Sequence, residues 1–401
     1  MSAAERAAGE PNIFLIAGEP SGDALGADLM AALKARTEGR VRFAGIGGAE
    51  MAAQGLNSLF PMSELSVMGL LEVVPRIPRL LRRIAETAAA IMNSKPDAVV
   101  TIDAPGFCFR VAARLKKAAR RGGPDIPVIH YVAPQVWAWR KGRARTLPRY
   151  VDHLLTLLPF EPPYFEIHGL SCTFVGHPAA GGRPGDGKGF RERHGIAAGA
   201  MVLCLLPGSR EGEVARLLPV YRETAARLQK EFPDLRLIAA AAAPVAAQIA
   251  AAVSGWPVPV IVAQGNARFD AMAASDIALA ASGTVTLELA RAGTPMVVAY
   301  RMNPVTGWLA RLLVRVKYVT LINLVLGREA IPELLLEDCT PQALEAALAH
   351  LIRDPNARSA QRAAMAEALR RLAGPGPSPG FRAADAVLEV IGRRNIGPAG
   401  A

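Results

Sequence analysis

Cysteine is scarce in this chain: four in 401 residues, at Cys108, Cys172, Cys204 and Cys339. No two have metal-ligand spacing and none forms a CxxC. Their largely apolar flanks suit reduced core residues of a cytosolic protein. Aromatic residues make up only 5%, which leaves few stacking platforms for single-stranded nucleic acid. There is no Asp-x-Asp and no histidine–carboxylate cluster, so neither a metal nor another cofactor is expected. The dinucleotide fingerprint GxGxxG fails after Gly18. It fails again at Gly45-Ile46-Gly47-Gly48, where Glu50 takes the last glycine position. Long apolar runs are missing too. The longest, Leu237 to Val253, is mostly alanine and is interrupted by Pro244 and Gln248, a poor spanning helix. The first, Ile13 to Ala17, is too short for a secretory signal. Membrane contact is therefore expected to be peripheral.

What remains is ample for globular domains. The chain is 51% hydrophobic and 20% charged, which at roughly 150 residues per domain gives two or three domains. Lys plus Arg is 46 against 35 Asp plus Glu, a net +11. That excess favours anionic partners: phosphorylated metabolites, an acidic membrane surface or nucleic acid.

Short apolar runs alternate with helix-like patterns. Strands are expected at Asn12–Gly18, Asp97–Asp103, Pro127–Ala133 and His153–Pro159. A second set follows at Met201–Gly208, Leu235–Ala241, Pro257–Ala263, Asp276–Ser282 and Pro295–Arg301. Runs apolar on both faces and separated by helices signal parallel sheets covered on both sides. Two sets predict an α/β protein of two doubly wound, Rossmann-like domains. Ala179–Gly189, AAGGRPGDGKG, reads as a flexible linker without strand or helix. Residues 1–180 and 190–374 are then the two domains. A further break, GPGPSPG at Gly374–Gly380, precedes a last helical pattern, Phe381–Arg394, able to dock back on either domain.

Ligands of open parallel sheets bind beyond the carboxyl ends of the strands, so the loops there carry the information. In GEPSGD, Gly18 to Asp23, small residues let a backbone approach a ligand, and Ser21 or Asp23 can cap the following helix. A plain capped turn accounts for the same pattern. In IDAPGF, Asp103 ends a strand just before Pro105 and Gly106 turn the chain. Its carboxylate either takes a proton from a substrate hydroxyl or stabilises an Asx turn. LLPGSR lacks the P-loop lysine, yet Gly208, Ser209 and Arg210 make a diphosphate cradle. The alternative is an Arg210 paired with Glu211 or Glu213 at the surface. In ASGTVTLELA, Ser282, Gly283 and Thr284 lie at a helix start, a natural phosphate site. Glu288, one turn on, can accept hydroxyls such as those of a ribose, or face solvent. Farther on, Asn323 and Glu329 stand in a largely apolar stretch. Asn323 either binds a polar ligand or satisfies backbone groups in a turn.

Together GEPSGD, IDAPGF, YVAPQVWAWR (Tyr131–Arg140), PFE (Pro159–Glu161), VGHP, LLPGSR, ASGTVTLELA, PMVVAYRMNP and NLVLGRE, in this order, resemble the lipid-A-disaccharide synthases. The resemblance spans Ile13 to Cys339. It implies a GT-B-type inverting glycosyltransferase with an N-terminal acceptor-side domain and a C-terminal UDP-sugar domain facing a cleft. The implied reaction joins UDP-2,3-diacylglucosamine to 2,3-diacylglucosamine 1-phosphate, releasing the tetraacyl disaccharide 1-phosphate and UDP. Asp103 would be the base for the acceptor hydroxyl. Gly208, Ser209, Arg210, Ser282, Gly283, Thr284 and Glu288 would hold UDP. Gly18, Glu19, Ser21 and Asp23 would line the acceptor side, and Asn323 and Glu329 would support activity.

Acylated substrates require an apolar entry at the inner membrane. VVPRIPRLLRR (Val73–Arg83) and Trp308–Lys317 mix apolar and basic residues in the way that suits contact with anionic phospholipids. Ordinary domain-packing helices share the pattern. A cytoplasmic enzyme on the inner-membrane surface is the expectation, with no nucleic-acid partner; a homodimer is compatible with the sequence. Rival readings are a soluble UDP-N-acetylglucosamine epimerase of the same fold, another GT-B glycosyltransferase, and a non-enzymatic membrane- or nucleic-acid-binding module.

Overall fold

The computed structural model describes residues 10–65, 77–138, 142–182, 185–302 and 317–395. They form two compact units: residues 1–178 with 374–401, and residues 179–373. Each is built on a parallel sheet of six strands.

In the first unit the strands are β1 (Asn12–Ala17), β2 (Arg42–Ile46), β3 (Ala98–Ile102), β4 (Val128–Tyr131), β5 (His153–Thr156) and β6 (Ser171–Phe174). Their order is β2-β1-β3-β4-β5-β6. The second unit has β7 (Val202–Leu206), β8 (Arg236–Ala241), β9 (Val260–Gln264), β10 (Ile277–Ala281), β11 (Met296–Tyr300) and β12 (Glu333–Leu335). Their order is β12-β11-β10-β7-β8-β9. Inner strands such as β3, β7 and β10 are buried along their whole length, as expected when helices cover both faces. One polar device recurs. The carboxylates of Asp97, Asp152 and Asp276 take the first amides of β1, β4 and β7, Asn12 N at 2.7 Å, Val128 N at 2.7 Å and Val202 N at 2.8 Å. An aspartate before one strand thus satisfies the entry of its neighbour.

All nine expected strands are present within a few residues. The unexpected ones, β2, β6 and β12, are all sheet edges. Edge strands bury less, so RFAGI, SCTF and ELL lack the apolar run that betrays an inner strand.

The glycine-rich stretch is not the unstructured linker its composition suggests. A helix begins inside it at Gly187–Arg193, with the Asp186 carboxylate accepting from Gly189 N at 2.9 Å. A Cβ at Gly185 would stand 2.3 Å from the Phe269 backbone, and one at Gly187 would stand 2.4 Å from Ala273 O. Close packing against the helix Ala267–Ala274, rather than flexibility, demands glycine at these two positions. The apolar run Leu237–Val253 divides into β8 and the helix Ala246–Val253. The C-terminal helix, Pro379–Asn395, packs on the helix Pro20–Arg36 of the first unit. Arg36 holds Asp385 through two bonds of 2.7 and 2.8 Å, and Arg382 donates to Val175 O at 2.7 Å.

Candidate active site

In the second unit, β7, β8, β9 and β10 end around one pocket of about 740 Å³. Gly208, Ser209 and Arg210 line it after β7; Ser282, Gly283, Thr284 and Glu288 line it after β10. Residues from two separate motifs, more than 70 positions apart, therefore share one cavity at the carboxyl edge of the sheet. Arg210 is the N-cap of the helix Glu211–Glu231, and Thr284 that of Val285–Ala292; no side chain caps either helix start. Both helix starts, at Arg210 and at Thr284, line the same cavity, and a helix N-terminus carries partial positive charge.

The expected pairing of Arg210 is partly realised, and Glu288 has a partner that was not expected. Arg210 Nη1 lies 3.3 Å from Glu213, yet the Arg210 side chain is 69% exposed. Glu213 also accepts from Ser209 N at 3.3 Å. Glu288 is not on a solvated face: its side chain is 19% exposed and its Oε1 accepts from Arg268 Nη2 at 2.8 Å. Sequence reading missed the pocket's remaining polar and aromatic wall, Asn266, Arg268 and Phe269. Asn266 is the N-cap of the helix that follows β9, and Arg268 and Phe269 lie in its first turn, a strand end that carried no recognisable motif.

In the first unit, Asp103 follows β3 with φ +50, and Ala104 follows it with φ +44. Two successive non-glycine residues in the left-handed region are strained, a condition that clusters at functional sites. The turn is held from three sides. Asp103 N donates to Tyr131 O at 2.9 Å. Pro105 starts the helix Pro105–Ala119. A Cβ at Gly18 would stand 2.6 Å from that of Ala104, so only glycine lets β1 end this close. Burial raises the Asp103 carboxyl above its ordinary value, opposed by the Ala104 amide. A depression of about 640 Å³ opens beside this turn, lined among others by Glu19, Glu64, Arg79, Phe107 and Arg110. Arg83, and then Arg79, hold Glu64 down to about 2.

Several expected site residues have other employment. Neither Ser21 nor Asp23 caps the helix Pro20–Arg36, whose N-cap is Glu19. Asp23 is 4% exposed, and its carboxylate accepts from Gly48, Glu50 and Met51 at 2.7, 2.9 and 3.1 Å. It caps the neighbouring helix Ala49–Ala53 instead. Asn323 is fully buried. Its Nδ2 donates to Ile331 O at 2.8 Å and to Glu333 at 2.7 Å; its Oδ1 accepts from Ala330 N at 2.8 Å and Ile331 N at 3.0 Å. All four side-chain hydrogen-bonding positions of Asn323 are taken up within this segment, the arrangement that the turn-stapling reading requires. Glu329 is exposed, in a different depression that includes Arg328, His350 and Gln361. Asn323→Ala is therefore expected to cost about 2–4 kcal/mol of stability through unsatisfied buried groups. Calorimetry checks it. Lost activity at an unchanged melting temperature would restore a ligand role.

Glu161, from PFE, is buried and accepts from Leu158 N at 3.0 Å and Trp137 Nε1 at 3.2 Å. Burial pushes its carboxyl up to about 7, against those bonds. Folding thus favours the protonated acid. Its contribution is complete below the ordinary carboxyl range of about 4.3 and fades as pH rises through about 7. The melting temperature should fall more between pH 5 and 8 than that of Glu161→Gln; equal slopes would contradict this.

Residues 13–375 match the family model described as lipid-A-disaccharide synthetase. A lipid-A-disaccharide synthase of Rhodospirillum centenum is 54% identical over 387 residues, covering 96% of each chain. The chain belongs to the lipid-A-disaccharide synthetase family. It is thereby a glycosyltransferase of lipid A biosynthesis. A lipid-A-disaccharide synthase of Nitrobacter winogradskyi is 44% identical over 382 residues, covering 94% of this chain and 95% of its own. Among solved structures, the glycosyltransferase of kitacinnamycin is 20% identical with a TM-score of 0.62, covering 95% of this chain and 99% of its own. A UDP-GlcNAc 2-epimerase from Neisseria meningitidis, bound to UDP-GlcNAc, is 12% identical with a TM-score of 0.60, covering 96% and 100%. At such identities the likeness shows the fold of the family, two Rossmann-like α/β domains, and nothing finer.

Proposed function

We propose that the chain moves 2,3-diacylglucosamine from UDP-2,3-diacylglucosamine to the 6-hydroxyl of 2,3-diacylglucosamine 1-phosphate. The observation that carries the donor half is the convergence of Gly208–Arg210, Ser282–Thr284 and Glu288 on one pocket. Its two uncapped helix starts and Arg210 suit a diphosphate, and Glu288 suits a ribose. Asp103 serves the acceptor. Its carboxylate takes the proton of the 6-hydroxyl as that oxygen attacks the anomeric carbon. The bond from that carbon to the diphosphate breaks, and its electron pair leaves with UDP. Attack opposite the leaving group gives the β-1,6 linkage. Arg210 and the helix amides meet the charge that develops on the diphosphate. The raised carboxyl of Asp103 favours proton uptake.

Peripheral attachment to the inner membrane belongs to the same reading. Ile77 and Leu81 are 42% and 47% exposed beside exposed Arg79 and Arg82 on the helix Ile77–Ser94. Val73–Arg76 and Trp308–Val316 lie outside the described residues. Among the described residues no helix is long and apolar enough to cross a membrane.

Labelled UDP-2,3-diacylglucosamine, incubated with the acceptor 1-phosphate and the protein, is expected to yield the β-1,6 disaccharide. Conversion of plain UDP-N-acetylglucosamine to an epimer, with no disaccharide, would point to the rival activity.

A further inference from the structure

The pocket holds an ion pair that no motif announced. Arg268 stands at the start of the helix Ala267–Ala274, and Glu288 lies in the first turn of Val285–Ala292. Arg268 Nη2 gives a 2.8 Å bond to Glu288 Oε1, and the Arg268 guanidinium lies 4.2 Å from the centre of the Phe269 ring. The guanidinium is thus fixed by an aromatic face on one side and a carboxylate on the other. The second carboxylate oxygen, Glu288 Oε2, is buried and has no hydrogen-bond partner among the described residues. A carboxylate oxygen has strong accepting capacity, and leaving it empty in a buried place is costly. Both residues line the 740 Å³ pocket.

We propose that Arg268 is a positioning residue for sugar recognition, occupying one oxygen of Glu288 so that the other is reserved for a ribose hydroxyl. This rests on the reading of the pocket as the nucleotide site and adds its specificity: ribonucleotide over deoxyribonucleotide diphosphates. The terminal torsion of a glutamate is soft, so a small rotation about it suffices to present Oε2 to a hydroxyl. Arg268 prevents a larger one. The hydroxyl then supplies the donor that the buried oxygen lacks, and a nucleotide without that hydroxyl leaves it empty. A site built for a hydroxyl discriminates more sharply against its loss than one that merely tolerates it.

The test compares UDP with 2′-deoxy-UDP and 3′-deoxy-UDP, by calorimetric titration of the full chain and of Arg268→Met and Arg268→Lys. The parent should prefer UDP over at least one deoxy analogue by about 10- to 100-fold, the range for a hydrogen bond to a charged group. In Arg268→Met that preference should shrink to within about 3-fold, with Arg268→Lys between, since a point charge holds one oxygen less rigidly than a planar fork. Inhibition by inorganic pyrophosphate should not change. If Arg268→Met weakens all three nucleotides equally and keeps the preference, Arg268 is a packing residue and the inference falls. The same follows if the parent shows no preference. If neither Arg268→Met nor Arg210→Ala alters UDP binding, the nucleotide lies elsewhere, and the reading of the pocket fails along with the inference. Glu288→Gln should lose the preference in the same way, even where Arg268→Met folds poorly.

Discussion

Asp103→Asn is expected to lower turnover by about 10²–10⁴-fold, the usual weight of a general base, while leaving the fold at least as stable as the parent. Two features of the turn after β3 produce this opposition. Burial makes the ionised carboxyl unfavourable, as its raised pKa records. A carboxyl raised on folding contributes fully to stability below its unfolded pKa, and that contribution is lost as pH rises through the folded value. An amide does not titrate, so the variant keeps it at pH 7. The second feature is the backbone. Asp103 sits at φ +50, a region that asparagine enters at least as readily as aspartate. The variant should therefore match or exceed the parent's melting temperature at pH 7, with the gap closing toward pH 4. Asp103→Ala removes the same base without the tolerance for a left-handed backbone and should lose stability as well. The two-substrate assay and calorimetry at both pH values check this. A folded Asp103→Asn with near-normal turnover would remove the base from the mechanism.

Arg210→Ala is expected to reduce kcat/KM for the UDP-sugar by about 10²–10³-fold, the scale for losing one preorganised group at a developing charge. Much of the loss should lie in kcat, because the diphosphate gains charge as the sugar leaves it. Arg210→Lys should recover part: it keeps the charge but not the planar fork. Stability should hardly move. The Arg210 side chain is 69% exposed, and its 3.3 Å pair with Glu213 is of the surface kind that adds little. The competing view takes that pair as the residue's whole purpose. Under it the variant stays within about 3-fold of the parent, a result steady-state kinetics distinguishes easily. Because Glu213 also accepts from Ser209 N, Arg210→Ala leaves the loop itself braced, so a lost rate reports the guanidinium and not a collapsed turn.

Much of the architecture was legible in one dimension because burial on both faces of an inner parallel strand forces an unbroken apolar run. The edge strands β2, β6 and β12 escaped for the converse reason. The stretch Ala179–Gly189 misled because glycine has two uses: it loosens a chain in solvent, and it lets two backbones touch. Gly185 and Gly187 serve the second use, and composition alone does not separate them. The site divides similarly. Gly208–Arg210 and Ser282–Thr284 were readable because each follows a buried strand and opens a helix. Arg268 was not, since its meaning lies in a partner 20 positions away.

The sequence by itself determined the alternation of strands and helices, the two α/β sheets and the family, and it singled out the strand-end loops as the place to look for a site. These depend on hydrophobic periodicity and on local turn chemistry, which are properties of neighbouring residues. Only the tertiary structure decided what individual polar side chains do. Asn323 and Asp23 were candidate site residues, and the structure occupies their side chains with groups seven to 28 positions away, backbone in all but the Asn323–Glu333 bond. Glu288 looked like a surface residue or a ribose acceptor, and Arg268 leaves one of its oxygens unclaimed. A side chain has a fixed number of donors and acceptors. Whether any remain for a substrate depends on how many distant groups the fold has already brought to meet them.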